Sequence, residues 1–517
     1  MEWILLLIGG VIGLIISVAL ISLILQLSGR GHFVGRTNES HHTHTTPIPR
    51  LGGVALAGAM VTVLAIFSWI LGTGFLLNNQ RALTIAATLT MFGLGLCDDL
   101  FALGAKRKLL GQVLIASLTY FCGIGIFHFK LPFTTHIIDL GWWAWPITVF
   151  WLVAMTNLIN LIDGVDGLAG GICLMLMSLF IYVSLHSGVV PIISAALAGA
   201  LLGFLRFNFP PARIYMGDGG AYLLGFFIGC TTIVSSQKGT IAAALICPLF
   251  VLALPIIDTT LAIIRRGAKG LPLFRPDRKH LHHRLLAAGH SRRNVVLGLY
   301  GFTAFFLLLG FASFIWQGLY VPVFMGIGGL TIILTAGRFR FSREWFSVGR
   351  VLGNSLEARA NIHYAMSLSR WLALEGARAQ TINEIAGDVV FIARKLGFAR
   401  VRIRLEDEEK TWLLNDHPAG TFQCTQHQLP GHQYLFLELG VACPCFRETP
   451  TPKVCEKCEA TFETLADLAA EGWAKAVGDW KKRHGLPIRF DARPEGLERA
   501  KIILLGSKPL SAYPAGR

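Results

Sequence analysis

The chain has 517 residues, of which 53% are hydrophobic and 15% charged, and its formal net charge is +15. A water-soluble protein cannot cover that proportion of apolar side chains, so lipid is the natural solvent for most of this one. No nucleic-acid-binding motif accompanies the positive charge; it is assigned to membrane topology and anionic headgroups, and nucleic acid is not expected as a partner.

In chain order, the apolar residues fall in blocks. Trp3 to Leu27, Leu51 to Leu71 and Ile241 to Ile264 are each long enough to cross about 30 Å of hydrocarbon as a helix. Strand alternation with aromatic girdles is absent, which argues against a β-barrel. The first block follows Met1-Glu2 without a basic n-region and is too long for an h-region, so it is expected to stay as the first span. Roughly eleven spans are predicted, near 3–27, 51–72, 82–97, 109–127, 144–160, 168–186, 189–205, 220–235, 240–264, 295–316 and 319–336. Beyond Arg338 charged residues become frequent and no block can span. The predicted fold class is an all-α polytopic membrane protein with about 10–11 transmembrane helices and a C-terminal soluble α+β domain. Its expected domains are 1–336, embedded in the membrane, and 337–517, soluble.

Numbered alternately, one set of loops (28–50, 97–108, 206–219 and 265–293) holds seventeen Lys and Arg, the other only Arg81, Lys130 and Lys238. The positive-inside rule makes the first set cytoplasmic, with the N-terminus outside and the tail inside. The cysteines divide evenly between spans and tail; those in the tail would lie in a reducing compartment, which argues against a disulfide framework.

Five polar constellations lie on that cytoplasmic face. The loop before the second span carries His41, His42, His44, Pro47, Pro49 and Arg50, followed by Gly52-Gly53. Pro and Gly give such a loop a defined shape, and Arg50 is the candidate for a phosphate or nucleotide. The histidines serve equally as a basic juxtamembrane anchor. The third span ends in Asp98-Asp99, adjacent carboxylates suited to a general base or a magnesium site unless they are two solvated helix-end acids. Lys108, abutting the next span, is a candidate for phosphate oxygens.

In Asn157-Leu-Ile-Asn160-Leu-Ile-Asp163-Gly-Val-Asp166-Gly, four polar side chains recur every three residues. They are expected to share a drifting helical stripe, loosened by Gly164 and Gly167. Intramembrane Asn and Asp are costly without partners, so a purely structural role is disfavoured. Next comes Gly217-Asp218-Gly219-Gly220 before the eighth span. An acid there can hold a hard cation close to a phosphate bound by the backbone amides of a helix N-terminus. Last, the basic loop Arg265 to Arg293 contains His280, His282, His283 and Arg284, a clamp for a pyrophosphate and sugar or, in the rival assignment, a zinc set.

Taken together, these motifs resemble the polyprenyl-phosphate N-acetylhexosamine-1-phosphate transferases, of glycosyltransferase family 4 type. The resemblance covers roughly residues 1–336. It rests on Pro49-Arg50-Leu-Gly-Gly, Asp98-Asp99, Lys108-Leu-Leu-Gly-Gln112, the Asn157 to Gly170 run, Met216-Gly-Asp218-Gly-Gly and His280-Leu-His282-His283-Arg284. It implies Mg-dependent transfer of HexNAc-1-phosphate, GlcNAc-1-phosphate first among them, from a UDP-sugar to undecaprenyl or another polyprenyl phosphate, with release of UMP. Manganese is the alternative divalent ion, and a homodimer is an admissible assembly.

By the same resemblance Asp218 is the metal ligand with Asn160 beside it. Asp98 is the base or phosphate-orienting acid, Asp99 supports it, and Asp163 and Asp166 line the nucleotide and metal region. Arg50, Lys108, Asn157, His280, His282, His283 and Arg284 contact substrate. The His-x-His-His loop is similar to the branch using UDP-N-acetylglucosamine; Leu281 interrupts the triple histidine of the phospho-MurNAc-pentapeptide translocases, the competing function. The implied location is the bacterial inner membrane, with the site and tail cytoplasmic. A nucleotide-sugar transporter is the rival of a different class; it predicts polar groups distributed through the bilayer and an inverted repeat, neither of which the sequence shows.

In the tail, 362–374 and 382–396 read as helices and 401–405 as a strand, an arrangement resembling GAF-type sensor domains. Cys443, Cys445, Cys455 and Cys458 form either a tetrahedral zinc set or four reduced thiols.

Overall fold

The computed structural model describes residues 2–29, 48–71, 79–101, 103–130, 137–187, 191–238, 248–268, 285, 289–316, 320, 323–324, 326–331, 355–405, 408–414, 423–428, 435–441, 456–485 and 488–490. It divides into two compact units, Met1–Ser355 and Leu356–Arg517.

The first unit is helical. In order it contains α1 (Glu2–Gly29), α2 (Gly52–Leu71), α3 (Asn79–Phe101) and α4 (Ala105–Phe121). A short antiparallel hairpin follows, β1 (His128–Lys130) with β2 (Ile137–Asp139). Then come α5 (Ala144–Ile162), α6 (Leu168–Ser187), α7 (Pro191–Asn208), α8 (Gly217–Lys238), α9 (Ala253–Ala268) and α10 (Arg292–Ile315). Among the described residues eight helices are long and apolar enough to cross a membrane: α1, α2, α3, α5 with its preceding turn, α6, α7, α8 and α10. The chain is therefore a multi-pass membrane protein. The span expected at 109–127 ends early: α4 stops at Phe121 and Gly123 turns the chain at φ 108 toward β1. Of the expected spans 240–264 and 319–336 only parts lie within the described residues, the first of them overlapping α9.

Packing follows small residues. A Cβ on Gly199 of α7 would sit 1.8 Å from the carbonyl oxygen of Gly10, and one on Gly13 would lie 2.2 Å from that of Ala196, so α1 and α7 meet backbone to backbone. In lipid, where apolar side chains gain little by leaving the solvent, such close approach is what holds helices together. The centre of the unit is α8, almost wholly buried, with Tyr222, Phe226, Phe227 and Ile233 in the main core cluster. It packs on α2, α3, α5 and α6, and its N-terminus lies where the conspicuous acids of the sequence meet.

The second unit has α11 (Ser355–Gly376), α12 (Ile382–Lys395), four antiparallel strands and α13 (Glu456–His484). The strands β3 (Arg400–Leu405), β4 (Glu408–Leu413), β5 (Gln423–Gln428) and β6 (Phe436–Val441) run in the order β4-β3-β6-β5. Val401, Ile403, Leu437 and Leu439 point into the core, whereas Arg400 and Glu438 pair at 2.6 Å on the opposite face, the alternation a one-sided sheet requires. Thr381 caps α12 by accepting from the amide of Glu384. This is an α+β domain, as expected. Cys443, Cys445 and Cys455 lie outside the described residues, as does the side chain of Cys458, and the zinc expectation remains with the sequence.

Candidate active site at the N-terminus of α8

Backbone geometry comes first. Residues 49–53 run alongside 215–217: Tyr215 donates its amide to the carbonyl of Pro49 (2.9 Å), Gly52 to that of Tyr215 (2.9 Å) and Gly53 to that of Met216 (2.8 Å). A Cβ on Gly53 would fall 2.2 Å from the amide nitrogen of Gly220, and one on Gly95 of α3 would fall 2.5 Å from the carbonyl oxygen of Asp218. Three helices thus converge without intervening side chains, which explains the Gly52-Gly53, Gly95 and Gly217 to Gly220 positions. Gly217 turns into α8 at φ 76, a conformation that disfavours other residues.

On this frame the acids take different partners. Asp99 accepts from the amides of Asp218 (3.0 Å, Oδ1) and Gly219 (2.9 Å, Oδ2), capping α8 from another helix. The amides that the sequence offers to a phosphate are therefore already taken by a carboxylate. Asp98 is buried, accepts the amide of Leu103 (2.8 Å) and pairs with the ammonium of Lys108, which also donates to Oδ2 of Asp218 at 2.8 Å. Lys108 joins α3, α4 and α8 as a cation between two carboxylates.

The polar stripe expected from Asn157 to Asp166 is broken by the end of α5 at Ile162. Asn157 and Asn160 stand on the helix, Asp163 is its C-cap and Asp166 lies in the following turn, where Gly167 adopts φ 79. Asn157 faces Gln112 of α4: its Nδ2 donates to Gln112 Oε1 at 2.7 Å and to the carbonyl of Val153 at 2.8 Å. Asn160 is half-buried. Asp163 is half-buried as well; burial pushes its carboxyl well above the usual range, Asp218 and Asp99 push the same way, and Arg50 opposes them. A cation in this neighbourhood would relieve that repulsion. Asp166 accepts from the amide of Ala212 (3.2 Å) and has Arg292 Nη1 3.8 Å from the same oxygen, binding the α5–α6 turn to the segment before α8.

Asn208, Tyr300 and Arg293 complete that clamp and were not anticipated. Asn208 accepts from the amide of Gly167 (2.8 Å) and donates to the carbonyl of Ile214 (2.8 Å). The Tyr300 hydroxyl donates to the carbonyl of Gly167 at 2.5 Å, and Arg293 Nε to that of Pro210 at 2.9 Å. Asn208, a polar residue closing an apolar block, offered a sequence signal; Tyr300 offered none. His280, His282, His283 and Arg284 lie outside the described residues.

Among the described residues no three His, Cys, Asp or Glu side chains form a closed cation cage. Magnesium seldom uses one: it keeps waters and takes one or two carboxylates together with substrate phosphates. Asp98 and Asp218, hard oxygen donors already sharing one cation, suit it.

Comparison with known proteins gives the family. Residues 81–236 match the family described as glycosyl transferase family 4. A probable undecaprenyl-phosphate N-acetylglucosaminyl 1-phosphate transferase of Bacillus subtilis is 37% identical over 264 residues, 51% of this chain and 72% of that protein. The decaprenyl-phosphate N-acetylglucosaminephosphotransferase of Mycobacterium tuberculosis is 35% identical over 283 residues, 50% of this chain and 70% of its own length. A phospho-N-acetylmuramoyl-pentapeptide-transferase of Listeria innocua is 33% identical over 282 residues, covering 50% and 82%. The chain belongs to glycosyl transferase family 4, as a membrane transferase of the polyprenyl-phosphate N-acetylhexosamine-1-phosphate type.

Proposed function

We propose that the protein transfers HexNAc-1-phosphate, GlcNAc-1-phosphate being the first choice, from a UDP-sugar to polyprenyl phosphate at the cytoplasmic face of a bacterial inner membrane. The product would start a lipid-linked envelope glycan. The observation that carries this reading is the cation held between Asp98 and Asp218 at a helix junction, beside the half-buried Asp163. A site built for charge neutralisation suits phosphoryl transfer, in which positioning and electrostatics provide most of the acceleration.

An oxygen of the lipid phosphate bonds to the sugar-bearing β-phosphorus, the bond from that phosphorus to the bridging oxygen breaks, and UMP leaves with the bonding pair. Asp98 orients the attacking phosphate and accepts its proton where one is present. Lys108 and Arg50 face the diphosphate oxygens. Asp218, with Asp98 alongside, would hold magnesium or manganese, which supplies neutralisation of the UDP diphosphate. Asp99 keeps the Asp218 main chain in place through its two amide bonds. One phosphoanhydride bond replaces another, so the transfer should run readily in both directions.

The assay is the purified protein with magnesium, undecaprenyl phosphate and UDP-N-acetylglucosamine, followed for UMP release. Turnover that Asp218→Ala abolishes supports the reading; no turnover with any UDP-HexNAc sinks it. The Listeria relative supports a second reading, and UDP-MurNAc-pentapeptide belongs in the same assay. Preference for that substrate would reassign the sugar while keeping the chemistry.

A further inference from the structure

We propose that the Lys108 ammonium is an exchangeable counter-ion of the Asp98–Asp218 pair, holding the two carboxylates together when no divalent ion is bound and leaving when one binds. This inference rests on the metal reading of Asp218 given above.

Lys108 starts from a different helix than either acid, yet its Nζ contacts Oδ2 of both Asp98 and Asp218. Asp98 is buried, and two ionised carboxylates drawn together away from water repel unless a cation stands between them. The neighbours Lys106 and Arg107, on the first turn of the same helix, are exposed. Among these three adjacent cations, the structure directs Lys108 to the pair.

Two features make the ammonium replaceable. Its stem is a flexible four-carbon chain, and the side chain keeps 28% of its accessible surface, so a way out exists. The helix beneath need not move, because Gln112, one turn further along, is fixed by Asn157. A divalent ion brings twice the charge to the same oxygens and displaces the ammonium. Once released, Lys108 is free to meet phosphate oxygens, so ion loading and exposure of the phosphate-binding cation become one event.

The test uses full-length protein in detergent, without substrate, and manganese as the paramagnetic probe. Free manganese is followed by electron paramagnetic resonance in wild type, Lys108→Met and Asp218→Ala. With the competing ammonium gone, Lys108→Met should bind manganese about tenfold more tightly than wild type. Affinity equal to or weaker than wild type overturns the exchange while leaving the metal reading intact. Absence of Asp218-dependent binding in wild type overturns both.

A second measurement needs no variant. An amine-acylating reagent read by mass spectrometry should modify Lys108 several-fold more when magnesium is present, with Lys106 as the internal control. Unchanged or reduced labelling at Lys108 also overturns the exchange.

Discussion

The main-chain amide of Asp218 donates to Oδ1 of Asp99 at 3.0 Å, so the first turn of α8 is capped by a carboxylate belonging to α3. N-caps are ordinarily local; here the sequence separation is 119 residues, and the cap fastens two helices while it satisfies a helix end. Asp99→Ala should cost about 1 kcal/mol of stability, the ordinary worth of a cap. It should also lower turnover by about a hundredfold through misplacement of Asp218. Asp99→Asn keeps one acceptor and should fall between. Thermal unfolding and UMP release on the same preparations check both effects, and an alanine variant with wild-type turnover would remove the positioning role.

Glycine contacts give a sharper contrast within one helix. Gly95→Ala would force a methyl to within 2.5 Å of the Asp218 carbonyl oxygen, whereas a methyl on Gly93 meets nothing within 4 Å. Gly95→Ala should therefore abolish turnover by pushing α3 from α8. Gly93→Ala should retain it and gain up to about 1 kcal/mol in helix stability. Equal behaviour of the two would refute the backbone-to-backbone contact.

The Gln112–Asn157 pair offers a test of partnership. Gln112 is buried, and removing it leaves the Asn157 amide short of a partner at a cost of about 1–3 kcal/mol. Gln112→Leu and Asn157→Leu should each destabilise the protein. The double variant should lose clearly less than their total, since neither group is then left unmatched. Additive losses in thermal unfolding would show the two side chains to be energetically independent.

In the second unit the informative group is Asp388 on α12. Burial first, then the charges of Glu375 and Glu384, push its carboxyl up to about 6. Its ordinary value is near 4, so the folded chain binds the proton more tightly than the unfolded chain. Stability from this group is therefore complete below about pH 4 and is lost as the pH rises to about 6. Asp388→Asn should remove that loss. Hydrogen exchange across residues 382–395, corrected for its intrinsic pH dependence, should be slower in the variant at pH 7 and alike in both proteins at low pH. The same pH profile in both would dismiss the effect.

These relationships mark where the sequence could be read and where it could not. Apolar block length was enough to locate α1, α2 and α5 to α8 within a few residues, because in lipid a spanning helix is the solution that satisfies its own backbone. The order of the acidic motifs was enough to gather Asp98, Asp99 and Asp218. What each acid does was not legible. Asp98 and Asp99 are adjacent in sequence, yet one meets the ammonium of Lys108 on the next helix and the other two amides more than 100 residues away, a division decided by helix orientation. The cost of Asn157 in the membrane was visible in the sequence, but Gln112, which meets it, stands 45 residues off. Asp166 likewise disclosed its charge but not its clamp to Ala212.

The anchoring of α4 sets a clock. With Gln112 held at 2.7 Å by Asn157, the helix resists turning about its axis, and Lys108 can move only by changing side-chain rotamers. Exposed side chains change rotamer in picoseconds to nanoseconds and helices shift in microseconds to milliseconds; the half-buried, ion-paired Lys108 falls between the two. Preparation of the site would then be far faster than turnover at a rate of about 10 per second, leaving lipid exchange or the phosphoryl step itself to govern the cycle.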